Sequence, residues 1–130
     1  MTLPLWCVFV SAVLIFLARL PVGNAMKSDA GGYDNHHPRA QQARLTGMGA
    51  RALAAHQNSF EAFPLFAAGV LIATVTQSAG ILVNALCVIF VIARILFIVF
   101  YCADKPSQRS LFWFVGLLCS LLLMISPLFA

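Results

Sequence analysis

Residues 80–101 read GILVNALCVIFVIARILFIVFY, and Arg94 is the only charge among them. A helix rises about 1.5 Å per residue, so this run would measure ~33 Å, close to the hydrocarbon thickness of a bilayer. A strand of a membrane barrel would be about ten residues long, with apolar and polar positions alternating. This run is continuous, so a membrane-spanning helix is expected here.

The neighbouring sequence repeats the pattern. Before this run, Thr76-Gln77-Ser78-Ala79 forms a short uncharged turn. A second apolar run precedes it, from Arg51 to about Val75, and holds Asn58, Glu61 and Pro64. A turn this short makes the two runs an antiparallel hairpin. After the third run, residues 102–109 form a tight loop with Asp104, Lys105, Pro106 and Arg109. A fourth run, 110–129, carries no charge. The first run, 3–20, is charged only at Arg19, whose long stem can snorkel to the headgroups. It is expected to end at Pro21 and Gly23. It reads as a membrane helix rather than a signal peptide, because no Lys or Arg precedes it and it is long for that role. The spans are therefore expected at about 3–20, 51–75, 80–101 and 110–129.

Residues 22–50 form a long polar loop. Within it, Asn35 is expected to cap a short helix that starts near Pro38 and runs through Ala40-Gln41-Gln42-Ala43-Arg44. Gly47 and Gly49 are expected to break the chain before the second span.

Composition agrees with this reading. The chain is 62% apolar and 9% charged, with a mean hydropathy of +0.93. Soluble domains average roughly 45–50% apolar and about 25% charged. An ordinary soluble domain and a disordered chain are both excluded. The net charge is +4, but 8 Lys+Arg and 4 Asp+Glu are too few for a face that tracks phosphates, so no nucleic-acid partner is expected. The expectation is one all-α integral membrane domain over residues 1–130, a bundle of four transmembrane helices surrounded by lipid.

Charge sets the expected topology. Lys27, Arg39, Arg44 and Arg51 lie in or beside the first loop, and Lys105 and Arg109 in or beside the third. In a four-span chain these two loops share a side. The positive-inside rule puts them in the cytoplasm and both termini outside.

Polar residues inside the spans carry the chemistry, because a charge in hydrocarbon is costly and needs a partner or a purpose. Glu61 lies ~15 Å from the Arg51 end of its helix, and Arg94 lies ~10 Å from the same side of the hairpin. The two are expected to pair. Asn58 sits one turn from Glu61 on the same face. Arg94, Phe97 and Tyr101 follow i, i+3, i+7 along one face of the third span. Arg109 opens the fourth span, where a helix N-terminus favours an anion or a thiolate. Pro64 removes a backbone bond to Phe60 and is expected to kink the second span beside Glu61. Each residue also has a plain structural reading: a polar clamp for Glu61 and Arg94, an interfacial anchor for Tyr101, a topology-setting charge for Arg109.

Cys7, Cys87, Cys102 and Cys119 form no CxxC pattern and read as packing residues without a disulfide. His36 and His37 are adjacent in the polar loop with no further ligands nearby in sequence, so no metal site is expected. His56 is an interfacial histidine near the start of the second span.

Two motifs resemble the MAPEG superfamily, which includes microsomal glutathione transferases and 5-lipoxygenase-activating protein. The first is RALAAHQNSFEAFPLF, Arg51 to Phe66: Ala55-His56, a variable residue, Asn58, then Glu61 and Phe63-Pro64-Leu65-Phe66. The second is Ala93-Arg94, Tyr101 seven residues on, a short loop, then Arg109-Ser110. The resemblance covers about residues 5–128, and the pattern, including YDNHHPRAQQARLTG, looks most like the bacterial branch. It implies a homotrimer in a bacterial inner membrane. It also implies glutathione as co-substrate, held in a cleft between subunits that opens to the cytoplasm. By resemblance Asn58, Glu61 and Tyr101 match glutathione-binding positions, Arg94 matches the family's buried Arg, and Arg109 matches the Arg that stabilises the glutathione thiolate.

The chain departs from the characterised enzymes in places. Further Arg residues of their second helix correspond to Ala54 and Gln57, and a third-helix Tyr corresponds to Phe97. Arg51, one turn earlier, is expected to compensate in part as a glutathione contact. The resemblance favours a glutathione-dependent transferase or peroxidase acting on lipophilic electrophiles. The alternative is a non-catalytic lipid-binding or scaffold protein on the same fold. A small four-helix multidrug exporter has similar size and charge economy, but keeps its key Glu in the first helix, where this chain has no acid.

Overall fold

In a hydrocarbon layer each backbone N–H and C=O must be satisfied internally, which leaves the helix as the form open to a single apolar run. A computed structural model describes residues 1–130. The chain folds as α1 (Leu3–Leu17), α2 (Arg19–Lys27), α3 (Pro38–Ala43), α4 (Gly47–Val75), α5 (Ile81–Cys102) and α6 (Pro106–Met124), followed by a 3-10 turn over Ser126–Leu128. Four stretches are long and apolar enough to cross a membrane: Leu3–Lys27, Gly47–Val75, Ile81–Cys102 and Pro106–Met124. The chain is an all-helical, multi-pass membrane protein.

The third span lies where its sequence put it; the other boundaries shift for local reasons. The first span does not end at Pro21. Pro21 is the third residue of α2 and lacks the N–H that would bond Leu17, and its ring crowds that carbonyl. The helix breaks at Ala18 and resumes, running on to Lys27. The second span begins at Gly47, ahead of Arg51, so Gly47 and Gly49 lie within it rather than breaking the chain before it. Gly49 is required there: a Cβ at this position would come within 2.8 Å of Ala25 Cβ, where α2 meets α4. The fourth span begins at Pro106, since proline is pre-organised for the first helical position, and ends at Met124. α4 continues through Pro64.

The short helix expected at Pro38 is present as α3, but Asn35 does not cap it. The N-cap is His37, and Asp34 Oδ1 accepts the backbone N–H groups of His36 and His37 at 3.0 Å each. Gln41 holds the loop before it. Gln41 is buried, and its Nε2 donates to the Met26 and Gly32 carbonyls at 3.0 and 2.9 Å. Its Oε1 accepts the Asp34 N–H at 2.9 Å. Gly31 and Gly32, at φ of 86° and 74°, supply the left-handed backbone that turns the chain back after α2.

The α4–α5 hairpin is the centre of the bundle, and α1 and α6 each pack on both of its helices. Phe66 of α4 and Phe90 of α5 stack face to face at 3.9 Å. Val70, Leu86, Cys87 and Leu123 are among the buried core residues that share their cluster. The α4–α5 turn and both termini share one end, where Thr2 and Phe129 each line a cleft with Gln77. The opposite end carries the basic loops and is called the charged end below.

Gly69 sets the approach of α4 to α6. A Cβ there would sit 2.8 Å from Leu123 Cβ and 3.0 Å from the Ser120 carbonyl oxygen. Gly69→Ala is expected to destabilise the bundle by ~1–3 kcal/mol through overpacking, read as a lower unfolding midpoint in detergent. Gly80→Ser, in open space at the N-cap of α5 where Ser is as well accepted as Gly, is expected to stay within about 0.5 kcal/mol of the parent. Equal midpoints for the two variants would contradict this packing.

Candidate functional site

Arg94 is 4% exposed, near the middle of a helix in which it is the only charged residue. Its guanidinium is held from two sides. Nη2 donates to Asn58 Oδ1 at 2.9 Å and lies 3.5 Å from Ser59 Oγ. The ring of Phe97, one turn along α5, lies under the guanidinium at 4.2 Å. Gly116 of α6 packs beside the stem, where a Cβ would lie at an ordinary contact distance of 3.5 Å from Arg94 Cδ.

The expected Glu61–Arg94 ion pair is not formed directly. Asn58 stands between the two groups: its Oδ1 accepts from Arg94, and its Nδ2 donates to Glu61 Oε2 at 3.2 Å. Arg94 is buried while Glu61 is exposed at the bundle surface. Comparing depths along two helices gives height but not rotation, and rotation decides which side chain reaches the cation. Asn58, Glu61 and Arg94 share a cleft of about 160 Å³ between α4, α5 and α6, whose outer wall includes Leu65 and Trp113.

From Arg94 the line continues toward the charged end. Phe97 meets Tyr101 edge-on at 5.6 Å, and Arg109 lies over the Tyr101 ring at 4.6 Å. A cation over an aromatic face is worth about 0.5–1 kcal/mol when exposed and more when desolvated. Glu61, Asn58, Arg94, Phe97, Tyr101 and Arg109 thus follow one another by contact. Arg109, fourth residue of α6, ends this line facing no carboxylate at its ring contact.

Arg51 is placed differently. Its Nε and Nη2 both donate to the Cys102 carbonyl at 3.3 Å, one of the free carbonyls at the end of α5. It ties α4 to α5 at the charged end instead of facing the first cleft.

A second cleft, of about 280 Å³, lies at the charged end between α1, α2, α3 and α4. Arg19, Tyr33, Arg39 and His56 line it, with Phe16 and Phe60 at its apolar edge, and it contains no Asp or Glu. Arg19 donates to Tyr33 Oη at 3.3 Å, and Arg39 to Gln42 Oε1 at 3.2 Å. His56 is oriented by its Nδ1, which donates to the Ile15 carbonyl at 2.9 Å. Sequence reasoning missed this pair of cations. Arg19 reads as a snorkelling end residue and Arg39 as a loop charge. Only the fold-back held by Gln41 brings them together.

The family comparison supports the reading of the motifs. The MAPEG family model matches residues 3–129, and the chain belongs to the MAPEG family, membrane proteins of eicosanoid and glutathione metabolism. No curated protein and no solved structure matches the chain.

Asn58 is the acceptor that keeps the buried guanidinium hydrogen-bonded. Asn58→Leu is expected to lower stability by roughly 2 kcal/mol, the scale of a hydrogen bond to a charged group. Glu61→Gln keeps an oxygen for Asn58 and is expected to cost less than half as much. Thermal unfolding in detergent compares them, and equal losses would mean that Glu61 rather than Asn58 satisfies Arg94.

Proposed function

We propose that this MAPEG protein is a membrane-embedded glutathione-dependent transferase or peroxidase acting on lipophilic electrophiles. The observation that carries this reading is the unbroken line from Glu61 through Arg94 to Arg109, in a family whose members generally use glutathione. A free thiol has a pKa of about 8.5, so only ~3% is thiolate at pH 7. A cation beside the sulfur favours the charged form. Arg109 is assigned that role, with the Tyr101 ring orienting its guanidinium. Arg cannot act as a proton donor near neutral pH, so its contribution is electrostatic. Lowering the thiol pKa by two units would leave about three-quarters of it ionised at pH 7.

The thiolate sulfur then bonds to an electrophilic carbon and the leaving group departs with its electron pair. With a hydroperoxide, the sulfur takes the terminal oxygen as a sulfenic acid and the alcohol leaves after protonation; a second glutathione thiol then attacks the sulfenic sulfur, the S–O bond breaks, and the disulfide and a water leave. Bilayer entry between helices brings the lipophilic partner to the sulfur.

The binding surface is assigned to two neighbouring copies in a homotrimer. A ligand pocket usually encloses roughly 300–1,000 Å³. The first cleft alone, at about 160 Å³, is too small for a tripeptide. Glu61 is the fifteenth residue of a 29-residue span and is exposed, so lipid is a poor neighbour for it. Glutathione carries two carboxylates, and Ala54 and Gln57 offer them no charge. Arg19 and Arg39 of the second cleft are assigned to that need, supplied by the adjacent copy. The charged end is assigned to the cytoplasm of a bacterial inner membrane. The competing reading, a non-catalytic lipid-binding protein, draws on those same uncharged positions.

Ultraviolet difference absorbance of the purified protein with glutathione tests the reading. A thiolate signal is expected for the parent, lost in Arg109→Ala and partly kept in Arg109→Lys. Absence of the signal from folded parent protein at millimolar glutathione would overturn the enzyme reading in favour of lipid binding.

A further inference from the structure

Arg94 has five N–H donors and spends few of them. Asn58 and Ser59, both from α4, are its polar partners, and both engage the same Nη2. A buried guanidinium with idle donors calls for another acceptor. One is available on the opposite helix. Ser11 of α1 is 5% exposed, and its Oγ has no hydrogen-bond partner within the protein. The other buried serines of the spanning helices are bonded. Ser59 and Ser120 donate to the carbonyls four residues back, at 2.8 and 3.1 Å, as does Thr74 at 2.8 Å. Ser11 forgoes that bond.

Ser11, Ser59 and Arg94 line one small crevice between α1, α4 and α5, with about 10 Å³ of room, walled otherwise by Leu14, Phe63 and Phe90 among its apolar residues. A space of about 10–15 Å³ with two to four polar partners is what one buried water needs. It is too small for any organic ligand or for a second water.

We propose that this space is a binding site for a single structural water, which accepts from the Arg94 guanidinium and bonds the hydroxyls of Ser11 and Ser59. The water brings α1 into the polar network and makes Ser11 a partner of Arg94 at one remove. A serine that faces a dry void is an unsatisfied group, and replacing it by an apolar residue stabilises. A serine that holds a water on a buried cation is a satisfied one, and the same replacement destabilises. The site does not depend on what either cleft binds.

The sign of the Ser11→Val effect therefore tests the proposal. In the parent background Ser11→Val is expected to lower the unfolding midpoint in detergent. In an Arg94→Met background, where no cation needs the water, it is expected to leave the midpoint unchanged or raise it. A rise in the parent background, or the same fall in both, would overturn the proposal. If Arg94→Met does not fold, an experimental map that resolves ordered water decides independently. Density within about 2.7–3.2 Å of Ser11 Oγ and of the Arg94 guanidinium is expected. An empty space there, or Ser11 bonded to the Cys7 carbonyl, would overturn it.

Discussion

A guanidinium buried in the middle of an apolar helix is the constraint around which this bundle is arranged. Arg94 cannot give up its charge in any ordinary circumstance, and a charge at membrane depth must be solvated by the protein. α4 answers with Asn58 and Ser59 and α5 itself with the face of Phe97, while Gly116 of α6 packs beside the stem. The α4–α5 hairpin is fixed in rotation by these contacts as well as by the Phe66–Phe90 stack. Dispersion and ring stacking alone would tolerate several rotations of one helix against the other. A single cation that must reach one amide tolerates few.

The same constraint organises the polar surface. Asn58 satisfies Arg94 with its oxygen and Glu61 with its nitrogen, so one amide joins a buried cation to an exposed anion. Phe97 does the equivalent along α5, with Arg94 over its face and Tyr101 against its edge. The result is a graded path from the buried interior to Arg109 at the charged end. Arg51 belongs to the scaffold of that path, because it closes the end of α5 by binding the Cys102 carbonyl.

Much of this was legible in the amino-acid sequence. Continuous apolar runs over-determine membrane helices, and the short 76–79 turn over-determines the hairpin. Depth along each helix placed Glu61, Asn58 and Arg94 in one neighbourhood. Helical phase between two helices is a tertiary property, so the sequence showed a pair where the fold interposes Asn58. Pro21 reads as a stop, yet it sits in the first turn of a resumed helix, where proline is tolerated. Gly47 and Gly49 read as breakers, yet Gly49 is a contact residue against Ala25. The Arg19–Arg39 cleft was invisible because it depends on a loop held by one buried glutamine, Gln41. The resemblance gives Arg51 a ligand role, and the fold adds a bond to the Cys102 carbonyl that spacing along one helix does not show.

The central claim is that the Arg94–Arg109 line of one copy and the Arg19–Arg39 cleft of another form one glutathione site. Subunit mixing tests it most directly, with the thiolate absorbance of added glutathione as the readout. Arg109→Ala subunits lack one half of the site, and Arg19→Ala/Arg39→Ala subunits lack the other. Each alone is expected to give no thiolate signal. Co-expressed and co-purified, they are expected to regain it, because every junction between an intact first half and an intact second half restores a site. A signal that is lost in both pure forms and stays lost in co-purified mixed assemblies would contradict a site shared between copies.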